Sequence, residues 1–214
     1  MMWYKGVRII LDALTALQRC GQPFRMVFIG DGTDRIEIEQ YASKCGIADH
    51  CCFVGAVDDR EQLRAWYCRA DLFLFPSSFD TNGLVVREAA ACSLPSVLIR
   101  DSAAAEDVVD QDTGFLIEEN ADSLFQFLRK YGQANDVLSY VGERAAAELY
   151  LSWKDASEKA FEQYLIIEEK NNRGEYMKYR NKSERIYRMN GELMEGIGYI
   201  RRSFRSTPPK NVKN

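Results

Sequence analysis

Short apolar runs of strand length alternate with amphipathic stretches of helical period through the first 131 residues. The apolar runs cover residues 24–29, 51–54, 71–75, 95–99 and 114–117. The amphipathic stretches cover residues 7–19, 34–45, 60–69, 84–92 and 121–131. Because the runs are almost uniformly apolar, they predict strands that are buried on both faces. Strand, helix and strand at this spacing predict right-handed crossovers and an α/β fold with a doubly wound, parallel, Rossmann-like sheet.

The chain divides by composition near residue 170. Beyond Ser139 the pattern is helical, through Trp153 and over residues 156–169, so we predict a Rossmann-like domain with closing helices over residues 1–169. Residues 170–214 are rich in Arg, Lys, Asn and Tyr, and they predict a basic helical tail. A helix over residues 176–204 is weakened by three glycines, and the Pro208-Pro209 pair predicts a disordered end.

Charge is distributed unevenly over the 214 residues. The net charge is −4, yet the segment from Lys170 onward holds twelve Lys and Arg against four Glu. The acidic body and basic tail indicate that the tail, and not the body, meets any polyanion or anionic membrane surface. No run of about 18 apolar residues and no signal-peptide pattern occur, so we expect a cytoplasmic protein.

Cysteine and histidine usage argues against metal or triad chemistry. The six cysteines include no Cys-x-x-Cys pair, and His50 is the single histidine. Reduced cytosolic thiols are therefore the expected state of the cysteines. One histidine leaves little room for a multi-histidine metal centre or a Ser-His-Asp triad, so we expect no metal site.

A glycine-rich turn follows the first predicted strand. In Gly30-Asp31-Gly32-Thr33, glycines at the carboxyl end of a parallel strand allow the backbone to approach a ligand closely. Arg35 stands where the third glycine of the dinucleotide fingerprint would fall. The turn is therefore open to two interpretations, as part of a ligand site or as a packing turn between strand and helix.

A stronger motif occupies residues 76–92. The strand ending at Phe75 is followed by a polar loop with one carboxylate, Asp80, and by a glycine, Gly83, that opens a helix. A second carboxylate, Glu88, lies eight positions after the first. Both carboxylates are expected to face the crevice above the strand ends, where the helix-start amides of Gly83 and Leu84 would bind phosphate. Carboxylates for hydroxyl groups and amides for a diphosphate are what a sugar nucleotide requires.

With these motifs, residues 5–131 resemble the C-terminal, donor-binding domain of the family 4 retaining glycosyltransferases of GT-B fold. The shared pieces are a Lys-Gly helix start, a strand ending in Gly-Asp-Gly, a Phe-x-Gly-x-Val segment, an Ala-Asp-strand-Pro-Ser segment and two carboxylates separated by seven residues. They occur here in order at Lys5-Gly6, Gly30-Asp31-Gly32, Phe53–Val57, Ala70–Ser77 and Asp80 with Glu88. The order and spacing of five such pieces make the resemblance specific.

The resemblance implies a role for each matching residue. Asp80 would contact hydroxyls of the transferred sugar, and Glu88 would hold the ribose hydroxyls. Amides of the turn formed by Asn82, Gly83 and Leu84 would bind the diphosphate. The remaining implied roles are neutralisation of the diphosphate by Lys5, packing against the base by Val57, and lining of the nucleotide crevice by Gly30 and Gly32. Asp80 and Glu88 are accordingly the expected catalytic pair.

The chain departs from the family pattern in several places. Asp80 stands where Glu is usual, which shortens the reach of the carboxylate, and Ser93 stands where a helix-capping glycine is usual, at a cost of about 1 kcal/mol. The strand ending in Gly-Arg that normally precedes Lys5, and the acceptor-binding N-terminal domain, are missing from these residues. The resemblance therefore implies half an enzyme, a donor-binding module that needs a separate acceptor-domain polypeptide.

The implied reaction transfers a sugar from a nucleotide sugar, UDP-linked by family frequency, to an acceptor hydroxyl with retention. The resemblance implies no metal or other cofactor, because amides and cationic side chains hold the leaving diphosphate.

Two alternatives remain: a truncated, non-catalytic binding or interaction module, and a domain of receiver or reductase type, which the missing third glycine and the carboxylate loop argue against. The basic tail also favours peripheral contact with anionic lipid, which would suit a glycolipid or cell-envelope acceptor. We expect no nucleic-acid partner.

Overall fold

The computed structural model describes residues 1–80, 83–150 and 152–174. The helix predicted over residues 176–204, the disordered end and most of the basic tail lie outside these residues, as does Asn82. The described residues fall into two units, with the division between residues 151 and 152. The boundary between residues 169 and 170 that the sequence predicts stays a prediction.

The described residues form five strands and seven α-helices in the predicted order. The strands are β1 (Met26–Ile29), β2 (Cys51–Gly55), β3 (Phe73–Phe75), β4 (Ser96–Ile99) and β5 (Phe115–Ile117). The helices are α1 (Val7–Arg19), α2 (Arg35–Lys44), α3 (Arg60–Arg69), α4 (Leu84–Ala91), α5 (Ala121–Tyr131), α6 (Asn135–Glu148) and α7 (Trp153–Asn172). A 3-10 helix, Trp3–Lys5, precedes α1.

All strand pairs are parallel, which confirms the predicted α/β class. The strands form two separate sheets: β1 pairs with β2, and β4 lies between β3 and β5. In the three-stranded sheet, Val97 of β4 lies opposite Leu74 on one side and Phe115 on the other. Among the described residues no strand joins the two sheets.

Burial differs between the strands in a way the sequence did not predict. β4 is buried at all four positions, as expected for a strand with neighbours on both edges. In β1 only Phe28 is buried, and β3 is half-buried at each of its three positions. The expectation that every strand is buried on both faces is therefore wrong for β1, β2 and β3. Pairing on one edge does not account for the difference, because β5 also pairs on one edge and is largely buried.

The hydrophobic core of the first unit is built around α1. Its apolar face packs against α5, and the packing buries Ile10, Leu11, Leu14 and Leu17. Leu124, Phe127 and Leu128 supply the α5 side of this contact. A smaller cluster joins α4 to α6 through Val86, Ala90 and Ala145. These contacts fix the positions of the helices, and the helices in turn position the loops at the strand ends.

A close backbone approach fixes the start of α1 against β3. Gly6 has a φ of 74°, and a Cβ at this position would overlap the carbonyl oxygen of Pro76. Only glycine combines the left-handed conformation with this contact at low cost. The approach holds the 3-10 helix and its last residue, Lys5, at the carboxyl end of β3.

The second unit begins with α7, whose N-cap is Ser152. The Ser152 hydroxyl accepts a hydrogen bond from the Asp155 amide at 3.1 Å.

In the part of the chain that the structure describes, no helix is long and apolar enough to cross a membrane.

Candidate functional site

The candidate site lies at the carboxyl ends of β1 and β3, where the two sequence motifs place their loops. A cavity of about 1000 Å³ extends along these strands. Its walls include five of the residues in question: Lys5, Gly30, Asp31, Val57 and Glu88. The predicted groups therefore come together from four different parts of the chain.

Lys5 and Asp80 form an ion pair. Lys5 Nζ lies 2.6 Å from Asp80 Oδ2, and the side chains are 38% and 22% exposed. Lys5 Nζ also lies over the rings of Tyr4 and Phe75, 5.6 and 5.9 Å from their centroids. The approach of Gly6 to Pro76 makes this pair possible, because it brings the residue before Gly6 next to the loop that follows β3.

Glu88 lies one turn into α4 and is exposed to solvent. The Tyr67 hydroxyl on α3 donates a hydrogen bond to Glu88 Oε2 at 3.3 Å. Burial raises the pKa of Tyr67, and the negative charge of Glu88 raises it further. Tyr67 therefore stays protonated and remains a hydrogen-bond donor that holds the carboxylate on the cavity side of α4.

Helix α4 starts with a glycine N-cap. Gly83 is the N-cap with φ 51° and ψ 35°, and its carbonyl accepts from the Val86 amide at 2.8 Å. The first amides of a helix have no intrahelical acceptor, and the helix dipole favours negative charge there. Leu84, the first residue of α4, is exposed, whereas Gly83 packs against Ala104.

The two glycines of the first motif have different surroundings. Gly30 has a φ of 119°, its amide donates to the Gly55 carbonyl at 2.7 Å, and the space that a Cβ would occupy is open. A Cβ on Gly32 would instead overlap the backbone of Met1. The side chain of Asp31 caps the turn by accepting from the Gly32 amide at 2.8 Å. The space beside Gly30 is open at the cavity wall, whereas the absence of a side chain at Gly32 allows the backbone of Met1 to lie against it.

Val57 follows β2 and is half-buried at the cavity wall. Ala56 beside it also lines the cavity, so these two residues offer an apolar surface for packing against a base, next to the carboxylate of Asp58. The prediction for Asn82 concerns a residue outside the described part of the chain. The structure gives the positions and contacts of the other site residues. The roles assigned to them stay predictions.

Sequence reasoning missed several residues of the site. Tyr67 lies 21 positions from Glu88 on a different helix, and no pattern in α3 marks it. Tyr4 and Phe79 form an edge-to-face pair, with centroids 6.0 Å apart, beside the Lys5–Asp80 ion pair, and both rings are exposed. The buried Ser77 hydroxyl has no hydrogen-bond partner among the described residues. Phe79 and Ser77 lie close to Asp80 in the sequence, and this proximity was the signal that could have marked them as residues near the site.

Lys5 and Glu88 line the cavity, and Asp80 is joined to it through its ion pair with Lys5. The predicted residues Gly32, Gly83 and Leu84 are not among the residues that line it. Lys5 and the α4 amides suit phosphate oxygens, and Asp80 and Glu88 suit sugar hydroxyls. Exposed aromatic rings offer flat apolar surfaces to a sugar. In the described ranges there is no cluster of three or more His, Cys, Asp or Glu side chains placed to hold a metal ion.

Comparison with known families gives a match over most of the chain. The family model described as "Glycosyl transferases group 1" matches residues 1–146. This range includes every site residue discussed above and the whole of α1 to α5.

Individual relatives agree with this match. The chain is 31% identical over 119 residues to a GDP-mannose-dependent alpha-(1-6)-phosphatidylinositol dimannoside mannosyltransferase of Mycobacterium tuberculosis, covering 56% of the chain and 30% of the relative. The fold of the chain is similar to that of Anabaena HepE, solved with UDP and glucose, at a TM-score of 0.61. The two sequences are 23% identical, and the match covers 69% of the chain and 40% of HepE. The C-terminal domain of LpcC from Francisella tularensis, a glycosyl transferase group 1 protein, gives a TM-score of 0.62 at 21% identity, covering 70% of the chain and 80% of that domain.

The chain spans about a third of the length of the curated relatives it matches. Its match to LpcC, by contrast, covers most of an isolated C-terminal domain. The similarity therefore concerns one domain of these larger proteins.

Proposed function

The chain belongs to the glycosyl transferases group 1 family, and we propose that it supplies the donor-binding half of a retaining glycosyltransferase. The observation that carries this proposal is the convergence of Lys5 and Glu88 on one cavity at the carboxyl ends of β1 and β3. In open α/β sheets, ligands bind in the crevice outside these strand ends.

Each charged group has a role in the proposed donor complex. Lys5 and the first amides of α4 hold the diphosphate, whose negative charge grows as the sugar leaves. Glu88, held by Tyr67, accepts hydrogen bonds from the ribose hydroxyls. Asp80 accepts hydrogen bonds from hydroxyls of the transferred sugar and is not assigned the role of a covalent nucleophile.

We propose UDP as the nucleotide, with GDP as the competing choice. HepE is described in complex with UDP and glucose, and the mycobacterial relative is named as GDP-mannose-dependent. Val57 and Ala56 offer an apolar surface to either base. The diphosphate is proposed to bind without a divalent metal, so excess EDTA is expected to leave nucleotide affinity unchanged.

Sugar transfer needs an acceptor hydroxyl aligned with the anomeric carbon. The groups described here address the donor, so we propose that an acceptor-binding domain completes the site. We further propose that the protein acts in the cytoplasm and that its basic tail contacts anionic lipid. Co-sedimentation of the full chain with vesicles containing phosphatidylglycerol, and its loss at 0.5 M salt, tests the lipid contact.

Calorimetric titration of the full chain with UDP-glucose and with GDP-mannose tests the donor site. Glu88→Ala is expected to weaken binding about tenfold, as loss of hydrogen bonds to a charged group costs roughly 1.5 kcal/mol. The matched control is Glu143→Ala, which removes an exposed carboxylate from α6 and is expected to change nothing. Absence of binding at millimolar concentrations of both donors, or equal effects of the two variants, would contradict the proposal.

A second candidate function is a non-catalytic binding module. The observation that favours it is the Lys5–Asp80 ion pair, because Asp80 neutralises the cation proposed for the diphosphate. Donor binding without hydrolysis or transfer, in the presence of a matching acceptor domain, would support this alternative.

A further inference from the structure

We propose that Cys68 and Cys92 form a redox-modification site, at which a small-molecule disulfide of the glutathione class converts the two thiols into one intrachain disulfide. Cys68 lies in the last turn of α3, and Cys92 directly follows α4. All six cysteines of the chain lie in the described ranges and are free thiols there. The inference does not depend on donor binding, because neither cysteine has a role in the proposed donor site.

The two thiols are in direct contact. A hydrogen bond joins the Cys92 thiol to that of Cys68, although the two residues belong to different helices. A disulfide requires two sulfur atoms whose backbones are already close together, since the bond has a short, fixed length. The contact between the thiols meets this requirement in the reduced chain.

The helix faces that carry the two cysteines meet over a full turn. Arg64 precedes Cys68 by four positions, and Glu88 precedes Cys92 by four, so each pair lies on one face of its helix. Both Arg64 and Glu88 act electrostatically on the Cys92 thiol. The Tyr67 hydroxyl also donates to Glu88 Oε2 at 3.3 Å. Several contacts between α3 and α4 therefore hold the cysteines next to each other.

The two thiols differ in accessibility. Cys68 is exposed, whereas Cys92 is half-buried. Burial is the main cause that raises the pKa of Cys92 to about 11, and the hydrogen bond with Cys68 adds to it. Cys92 is therefore a protonated, shielded thiol at neutral pH. Cys68 is the thiol that meets an oxidant first, and Cys92 reacts second.

The surroundings of Cys68 suit an anionic oxidant. Helix α3 carries three arginines against one glutamate. Arg64 and Arg69, on either side of Cys68, are both exposed. Oxidised glutathione carries carboxylates and a net negative charge, so these guanidinium groups favour its approach.

The reaction has two thiol–disulfide exchange steps. The Cys68 thiolate attacks one sulfur of oxidised glutathione, which forms a mixed disulfide and releases one glutathione thiolate. Cys92 then loses its proton to solvent and attacks the Cys68 sulfur, which breaks the mixed disulfide and releases the second glutathione. The two cysteine thiols lose two electrons and two protons in total, and oxidised glutathione takes them up as two thiols.

The disulfide would join α3 to α4 beside the cavity and not inside it. Cys68 and Cys92 are absent from the cavity lining, whereas Tyr67 and Glu88 belong to it. The closed loop would contain β3 and the start of α4. A cross-link over such a loop restricts the unfolded chain and stabilises the fold.

Peptide mapping of the full chain tests the proposal. The fully reduced protein is incubated with millimolar oxidised glutathione, and the remaining thiols are blocked before digestion with trypsin without reductant. Cleavage after Arg and Lys gives the peptides 65–69 and 88–100, each with a single cysteine. We expect these two peptides to be joined at least tenfold more often than any other pair, and dithiothreitol to separate them. The joined chain is expected to run as a monomer on a non-reducing gel.

Three variants test the order of the steps. Cys92→Ser is expected to keep a glutathione adduct on Cys68, because the second thiol is missing. Cys68→Ser is expected to leave Cys92 unmodified, because the half-buried thiol does not meet the oxidant. The matched control is Cys52→Ser, which removes an exposed thiol from β2 and is expected to form the cross-link as the wild-type chain does.

Thermal unfolding shows whether the cross-link holds the two helices. The Tm of the oxidised wild-type chain is expected to lie about 5 °C above that of the reduced chain. Oxidant is expected to leave the Tm of Cys68→Ser unchanged. A glutathione adduct on wild-type Cys68 without cross-linking, a cross-link between chains or between other cysteines, or equal Tm values of the oxidised and reduced wild-type chain would overturn the proposal.

Discussion

Lys5 Nζ lies 2.6 Å from Asp80 Oδ2, across 75 positions of sequence. The resemblance assigns these residues to different parts of the donor, the lysine to the diphosphate and the carboxylate to the sugar. Their pairing means that a diphosphate has to compete with Asp80 for the ammonium group. We therefore expect the carboxylate to affect nucleotide binding as well as sugar binding.

Substitution of the two partners is expected to act in opposite directions on UDP affinity. Asp80→Asn removes the competitor and raises UDP affinity up to about fivefold, because an exposed ion pair contributes ~0.2–1 kcal/mol. Lys5→Met lowers UDP affinity about tenfold through loss of a charge-assisted hydrogen bond worth roughly 1.5 kcal/mol. Calorimetry with UDP measures both.

The control for Lys5→Met is Lys44→Met, which removes an exposed charge from the end of α2. Its UDP affinity is expected to match that of the wild-type chain. If Asp80→Asn weakened UDP binding as much as Lys5→Met does, the competition argument would be wrong.

The contact between Gly6 and Pro76 predicts a large cost for a single methyl group. Gly6→Ala imposes a left-handed alanine and a clash with the Pro76 carbonyl, and we expect a loss of roughly 3 kcal/mol in the free energy of unfolding. Gly21→Ala is the matched control, since Gly21 has a φ of 72° and no neighbour within 4 Å. It is expected to lose only about 1 kcal/mol. Urea denaturation measures both, and equal losses would show that the Pro76 contact is not important.

The sequence predicted secondary structure better than tertiary contacts. The amphipathic periods gave α1, α3 and α5 with the bounds found in the structure, because a helix face repeats along the sequence. The start of β3 was predicted two residues early, since Asp71 and Leu72 extend the segment without pairing. Strand bounds depend on a partner strand, and apolarity alone does not reveal where pairing begins.

The site was predictable where its residues share a motif and not where they meet across the fold. Asp80, Gly83 and Glu88 follow one another at a loop and a helix start, so their positions in the fold could be predicted from the sequence, whereas their roles stay predictions. The bond from Tyr67 to Glu88 depends on how α3 packs beside α4, which no local pattern encodes. The half-burial of β1 and β3 was equally hidden, because both strands are as apolar in sequence as the buried strand β4.

Ser93 offers a stabilising substitution. It follows α4 with a φ of 53°, in the left-handed region where a Cβ is unfavourable. Ser93→Gly is expected to raise the free energy of unfolding by up to about 1 kcal/mol. The control, Ser139→Gly at an exposed position inside α6, is expected to lower it by about 0.5 kcal/mol. A loss of stability in both variants would show that Ser93 makes contacts worth more than its backbone strain.

The pair formed by Arg144 and Asp112 predicts how stability depends on acid. Arg144 donates to both Asp112 oxygens, at 2.9 and 3.1 Å, and these hydrogen bonds lower the pKa of Asp112 from its ordinary value of 3.8. Because the folded-state pKa is the lower one, the pair stabilises the fold fully above pH ~4 and its contribution is lost as pH falls through the lowered pKa. Asp112→Asn is therefore expected to lower the Tm at pH 7, and its difference from the wild-type chain is expected to shrink as the pH falls below ~4. Glu61→Gln, which breaks a well-exposed pair with Arg64, is expected to leave the Tm nearly unchanged at pH 7. A Tm difference for Asp112→Asn that persisted unchanged at low pH would contradict an electrostatic origin.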